Sequence, residues 1–199
     1  MKRGHVFLVA ALIVLVTAPS LLARVKALTI VLKWNPNQKP SMPAIDMTGG
    51  LYSLTIAPIA DKRDKAKQVG ENTEKRDVVP VYTNSDVPTW VAEQLTRQVK
   101  TAGFDVKSAD SGQRVLKSEL TEFWVNEGNL YLGSIRLKVT ITDPSGKELW
   151  TSMVDGSSDN FERSLKPDNY TEAFSNAMQG LAAKLVGAPR FPQAIGKTS

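Results

Sequence analysis

A chain of 199 residues, 42% apolar and 23% charged, holds enough apolar sequence for one sizeable core. Its formal net charge of +5 does not mark a nucleic-acid footprint, because Lys2, Arg3, Arg24 and Lys26 sit in an acid-free stretch of 27 residues and the rest carries 21 basic against 20 acidic residues. Cysteine is absent and the single histidine is His5. Beyond residue 27 the chain therefore cannot build Ser-His-Asp or Cys-His catalysis, a zinc site of the usual type, a haem site, an iron–sulfur cluster or a disulfide, and no cofactor is expected.

Residues 1–27 have the layout of a secretory signal: Lys2 and Arg3, an apolar run from Val6 to Val16, then small residues at Thr17, Ala18, Ser20 and Ala23. Cleavage sites are expected after Ser20, Ala23 or Ala27. The alternative is an uncleaved anchor, since Val6 to Ala23 is 18 residues, the lower limit for a span. Either reading puts the remainder outside the cytoplasm, in the periplasm or secreted. Membrane contact is expected only if the N-terminal helix is retained.

Leu28 to Trp34 reads as a short strand, and 35–50, with three prolines and Gly49-Gly50, as a linker or extended crossing loop. A single domain is expected over 51–187. Leu51 to Ala60 is apolar on both sides and predicts a central strand ended near Pro58. Residues 61–77 hold six basic and five acidic residues and predict a solvated loop. Val78 to Tyr82 suggests an edge strand because of Pro80. A helix follows, capped by Ser85 or Asp86, with Pro88 in its first turn, Val87, Val91, Leu95 and Val99 on one face, and Gly103 as its stop.

Phe104 to Val106 and Arg114 to Val125 predict strands, the second with imperfect alternation. Tyr131 to Asp143 alternates cleanly: Ile135, Leu137, Val139 and Ile141 on one side, Arg136, Lys138, Thr140 and Thr142 on the other. Asp143-Pro144-Ser145-Gly146 is a β-turn that folds Lys147 to Asp155 back as a hairpin. Ser157 to Asn160 reads as a turn, since no Gly-x-Ser-x-Gly elbow surrounds it. The last helix is expected from Asn169, with Glu172 completing a capping box, to Gly187; 188–199 reads as a flexible tail. The fold class is α+β: a mostly antiparallel β-sheet with two helices packed on one face, in the order β-β-α-β-β-β-α.

Three stretches, Thr55 to Asp64, Ser85 to Val106 and Leu116 to Trp150, resemble the YajG-type periplasmic lipoproteins and, more distantly, the auxiliary lipoproteins of envelope ABC transporters. The shared pattern is a strand ending in Asp61-x-Arg63, a helix running into Gly103-Phe104-x-Val106, a β-meander and a closing helix, over residues 50–186. The resemblance implies an envelope protein of this architecture. Those proteins carry a lipidated cysteine after the signal, and this chain has none.

Function then rests on a few surface candidates. Asp61 and Arg63 form an expected strand-exit ion pair, because Arg offers several donors where the chain surfaces. Trp124 and Tyr131 flank the turn at Gly128 and suggest aromatic anchors. Arg136 and Lys138 belong to the polar sheet row. Trp90 reads as core. The expectation is a non-enzymatic cell-envelope binding or assembly protein with a protein partner and no nucleic acid, presenting a sheet edge or face. Two alternatives are an Asp/Glu-dependent glycan hydrolase, which needs two converging carboxylates in a cleft, and a carrier of a small apolar or lipid ligand, which needs an internal cavity.

Overall fold

The computed structural model describes residues 27–38, 42–43, 50–74, 76–108, 111–161 and 164–196. The signal-like segment and most of the Pro/Gly-rich linker lie outside the described residues. Nine strands form one sheet: β1 (Leu28–Ile30), β2 (Leu54–Ile56), β3 (Ala60–Asp61), β4 (Gln68–Asn72), β5 (Val79–Thr83), β6 (Val106–Lys107), β7 (Arg114–Glu127), β8 (Tyr131–Thr142) and β9 (Glu148–Asn160). Among the described residues three helices accompany it: α1 (Val87–Thr101), α2 (Pro167–Gly187) and α3 (Phe191–Ile195).

The long strands β7, β8 and β9 make an antiparallel meander. The turn after β8 sets its register. The Asp143 carboxylate accepts the Ser145 and Lys147 N–H groups at 2.9 and 3.0 Å, and Gly146 takes φ of 86°, which a side chain would resist. Along its other edge β7 is paired in parallel by β2, β3 and β4 in succession. A bulge between Leu120 and Glu122 explains the imperfect alternation in β7. Leu116, Ser118 and Leu120 point inward before it, and Phe123, Val125 and Glu127 after it.

Asp86, not Ser85, caps α1, accepting the Thr89 N–H at 3.0 Å. Gly103, with φ of 95°, ends that turn as expected. Both long helices lie on the inner face. The Phe123 ring meets Trp90 of α1 edge-on at 5.7 Å and stacks on Phe174 of α2 at 3.9 Å. Trp90 is buried, as a core residue should be. The α2 backbone lies directly on the meander. A Cβ added at Gly156 would meet Ala177 O at 1.9 Å, and one at Gly133 would meet Ala173 O at 2.9 Å. Ser158 Oγ, beside them, donates to Ala173 O at 2.8 Å. Residues 31–37 cross α2 in extended form: the Asn35 N–H donates to Ser175 Oγ at 2.9 Å and the Asn37 N–H to Asn176 Oδ1 at 3.2 Å.

Several expectations are corrected. The charged stretch is not all loop, because Gln68–Asn72 forms β4, pairing with both β5 and β7. Strand β5 is not an edge: β1 pairs with it from Val81 onward, so Pro80 lies just outside that ladder and its missing N–H costs nothing there. The expected strand over 51–60 is broken at Pro58 into β2 and β3. Residues 157–160 continue β9 rather than turning, because Ser158 and Asn160 face inward against α2. Helix α2 starts at Pro167 without a side-chain cap, and Glu172 instead accepts from Asn160 Nδ2 at 2.6 Å. Within the expected tail, α3 forms and buries Phe191 between Phe104 and Trp150.

The close seat of α2 yields a paired prediction. Gly156→Ala should cost about 3 kcal/mol by overpacking and lower Tm by about 6–12 °C. Gly180→Ala, whose added Cβ would meet nothing nearer than 3.6 Å, should stabilise α2 by about 0.5–1 kcal/mol. Thermal melts of the two variants check both signs.

Candidate functional site

The outer face of the meander carries three of the six predicted site residues. Trp124, Arg136 and Lys138 all point to it, in cross-strand rows that run Glu119–Lys138–Met153, Glu122–Arg136–Asp155 and Trp124–Ser134–Ser157. Arg136 Nη1 lies 3.0 Å from Glu122 Oε2. Asp155 is reached by Lys184 Nζ at 2.8 Å; that hydrogen bond, with the charges of Lys184 and Arg136, outweighs burial and holds Asp155 below the usual carboxylate range. Thr142, expected in the same polar row, is buried, because the register slips between Ile141 and Thr142.

Trp124 stands between two hollows. One, of about 280 Å³, is lined by Arg63, Gln68, Thr121, Glu122 and the edge of Phe123, and it opens where β7 bulges. The other, of about 560 Å³, is lined by Asn126, Leu132, Ser134, Ser157 and Asp159. The Lys65 ammonium lies 6.0 Å from the Trp124 ring centre. Leu132 and Met153 are about half exposed on this face. A half-buried aromatic flanked by exposed apolar side chains and rimmed by both charge signs has the make-up of a protein contact surface.

Sequence reasoning missed Leu132, Met153 and Asp155. The signal was present, since the turn at Asp143 to Gly146 fixes which β9 residues sit beside Arg136 and Lys138. However, Val154, Gly156, Ser158 and Asn160 are too small or polar to mark the inner face of β9 by hydropathy.

Asp61 and Arg63 are brought together as expected, and more deeply than expected. Arg63 Nε and Nη2 donate to the two Asp61 carboxylate oxygens at 2.9 and 2.7 Å, and Nη2 also donates to Ala66 O at 3.0 Å. The guanidinium lies 5.7 Å from the Phe123 ring centre, with only 6% of the side chain exposed. The Arg63 hydrogen bond holds the Asp61 carboxyl below its ordinary range against the opposing effect of burial. The pair clamps the β3–β4 connection onto the core, and Arg63 forms part of the wall of the smaller hollow.

Tyr131 is not on the outer face. It lies four residues before Ile135 and so shares the inner face, 1% exposed. There its hydroxyl donates to Glu127 Oε1 at 2.9 Å, burial pushes its pKa up to about 12, and Tyr170 donates to Glu127 Oε2. The Leu165 N–H donates to Glu127 Oε1 at 2.7 Å, where Leu165 takes φ of 55° just ahead of α2. Burial pushes the Glu127 carboxyl upward. Hydrogen bonds from Tyr170, Asn72, the Leu165 N–H and Ser164 outweigh it and leave the group below its ordinary value. This buried carboxylate ties the start of α2 to the sheet. Its role is structural, and no sequence signal distinguished it from the other acids.

No family model matches the sequence, and no curated protein matches it. Solved structures do share its shape. A Xanthomonas campestris protein of the family DUF330 superposes with a TM-score of 0.56 at 13% identity, over 81% of this chain and 93% of that one. This chain therefore has the sheet-and-helix fold seen in that DUF330 protein. Weaker likenesses are PelC from Paraburkholderia phytofirmans, crystallised as a dodecamer (TM-score 0.45, 16% identity, 79% and 96% covered), and a minor lipoprotein from Acinetobacter baumannii (0.43, 8%, 73% and 97%).

Two outcomes follow from the clamps. Asp61→Asn should cost about 3 kcal/mol, because it strands a buried guanidinium, whereas Asp155→Asn should cost under about 1 kcal/mol; urea titration separates them. Because the folded pKa of Glu127 lies below the ordinary glutamate value of 4.5, its contribution is complete above that pH and disappears as pH falls through the folded pKa. Glu127→Gln should thus lose about 2 kcal/mol at pH 7, with the gap to wild type closing in acid.

Proposed function

We propose that this protein is a non-enzymatic, envelope-associated binding or assembly module. The proposed contact surface is the outer face of β7–β9, centred on Trp124, with a protein partner. The single observation that carries this is the clustering of Trp124, Leu132, Met153 and the Glu122–Arg136 pair on one solvent-facing sheet surface beside two hollows. The signal-like N-terminus and the sequence resemblance to YajG-type lipoproteins support an envelope location, and the latter supports an accessory role in an envelope complex. Among the described residues no helix is long and apolar enough to cross a membrane.

The two alternatives have less behind them. A glycan hydrolase needs a carboxyl free to act as acid. Of the four acids lining the hollows around Arg63, Asp61 is held ionised by Arg63, Asp86 accepts the Thr89 N–H as the α1 cap and Glu122 is paired with Arg136, so that exposed Asp64 has no second uncommitted carboxyl beside it there. A carrier of an apolar ligand needs room between sheet and helices. That space is filled around Phe123 by the stacked Phe174 and Trp90 rings.

A photo-crosslinking residue at position 138, in cells making the full chain, should yield one discrete adduct. Trp124→Asp or Arg136→Glu should reduce that adduct at least fivefold while the circular dichroism spectrum is kept. Adducts indifferent to both substitutions, or no adduct from this face, would refute the assignment.

A further inference from the structure

A second site lies at the opposite end of the sheet from Glu127, where the starts of β7 and β9 meet α3. A cavity of about 450 Å³ is lined there by Arg114, Trp150, Thr151, Arg190 and Gln193, and among the described residues no carboxylate lines it. Arg63 and Arg136, by contrast, each face a carboxylate, at 2.7 and 3.0 Å. Arg114 is held in place. Its guanidinium stacks 3.9 Å from the Tyr52 ring centre, Nε donates to Ala194 O at 3.2 Å, and Nη1 donates to Gln113 O at 2.9 Å. Its Nη2 makes no hydrogen bond to the described residues. Arg190, in the α2–α3 connection, is exposed; its carbonyl accepts the Ala194 N–H at 3.0 Å, but its guanidinium has no hydrogen-bond or ion-pair partner among the described residues.

From this arrangement we infer that the cavity is a binding site for a phosphate-type oxyanion. One guanidinium fork satisfies the two oxygens of a carboxylate. Here a pre-positioned Arg114, a free Arg190 and the Gln193 amide offer more N–H donors than a carboxylate can accept, and they suit a tetrahedral anion with three acceptor oxygens, while the Thr151 hydroxyl is already committed to Val139 O at 3.2 Å. Trp150 and Leu149 provide an apolar wall for whatever group carries the phosphate. The site stands apart from the Trp124 surface and does not depend on the proposed partner contact.

The test uses the full mature chain with inorganic phosphate and phenyl phosphate in calorimetry, and sedimentation with phosphatidylglycerol or phosphatidylcholine vesicles. Arg190→Gln is the main variant, because the Arg190 guanidinium has no partner among the described residues and its loss should leave the melt unchanged. Arg114→Gln is the second, with its own melt recorded. Saturable binding of either soluble phosphate, weakened about tenfold by Arg190→Gln, supports the site with a free ligand. Binding to phosphatidylglycerol but not phosphatidylcholine vesicles, lost in Arg190→Gln, supports it with a lipid headgroup as the source. No binding in any arm, or binding indifferent to Arg190→Gln, overturns it.

Discussion

The structure depends on one close contact, the backbone of α2 lying on Gly156 and Gly133 of the meander. With no Cβ at either position, the helix comes near enough for Ser158 Oγ to reach Ala173 O and for Phe174 to stack on Phe123. Everything on the inner face follows from that seat. Trp90 closes against the other side of Phe123 and so positions α1, the extended segment 31–37 is hydrogen-bonded across α2, and α3 is carried back over Phe104 and Trp150. Glu127 fixes where α2 begins, through two tyrosine hydroxyls and the Leu165 N–H.

A consequence is a division of labour between the two faces of one sheet. Apart from Glu127 and Arg114 at the two ends of β7, the inner face is filled by large rings and aliphatic side chains. Most other charged residues of β7–β9 go to the outer face, where Glu122, Arg136, Asp155 and Lys138 alternate in sign across strands and stay in water. Such a pattern contributes little to stability. It does define a surface with a central aromatic, Trp124, and neighbours that no other part of the described chain covers.

Much of this was legible in the sequence. The Tyr131 to Thr142 alternation, the turn at Asp143 to Gly146, the Asp86 to Gly103 helix and the Asp61–Arg63 pair are local, and the residues that specify them lie within a few positions of one another. What failed depends on contacts distant in sequence. Strand β4 is polar and forms because β5 and β7 flank it. Ser158 and Asn160 look like a turn until α2 is placed over them. Tyr131 was legible in principle, since it lies four residues from Ile135, but its aromatic character outweighed its parity. Arg114 and Arg190, 76 residues apart, meet at one cavity only because α3 folds back over the sheet.

The outer face, proposed above for contact, and the inner face, which carries the core, can be told apart by substitution. A substitution scan in the chain carrying the crosslinker at position 138, reading Tm and adduct formation together, separates the two faces, with polar replacements at Trp124, Leu132 and Met153 set against Leu120, Ile135 and Val139. The account predicts that the outer set leaves Tm within about 3 °C of wild type yet abolishes the adduct, while the inner set lowers Tm by about 6 °C or more. Outer substitutions that unfold the protein, or that leave the adduct intact, would contradict it.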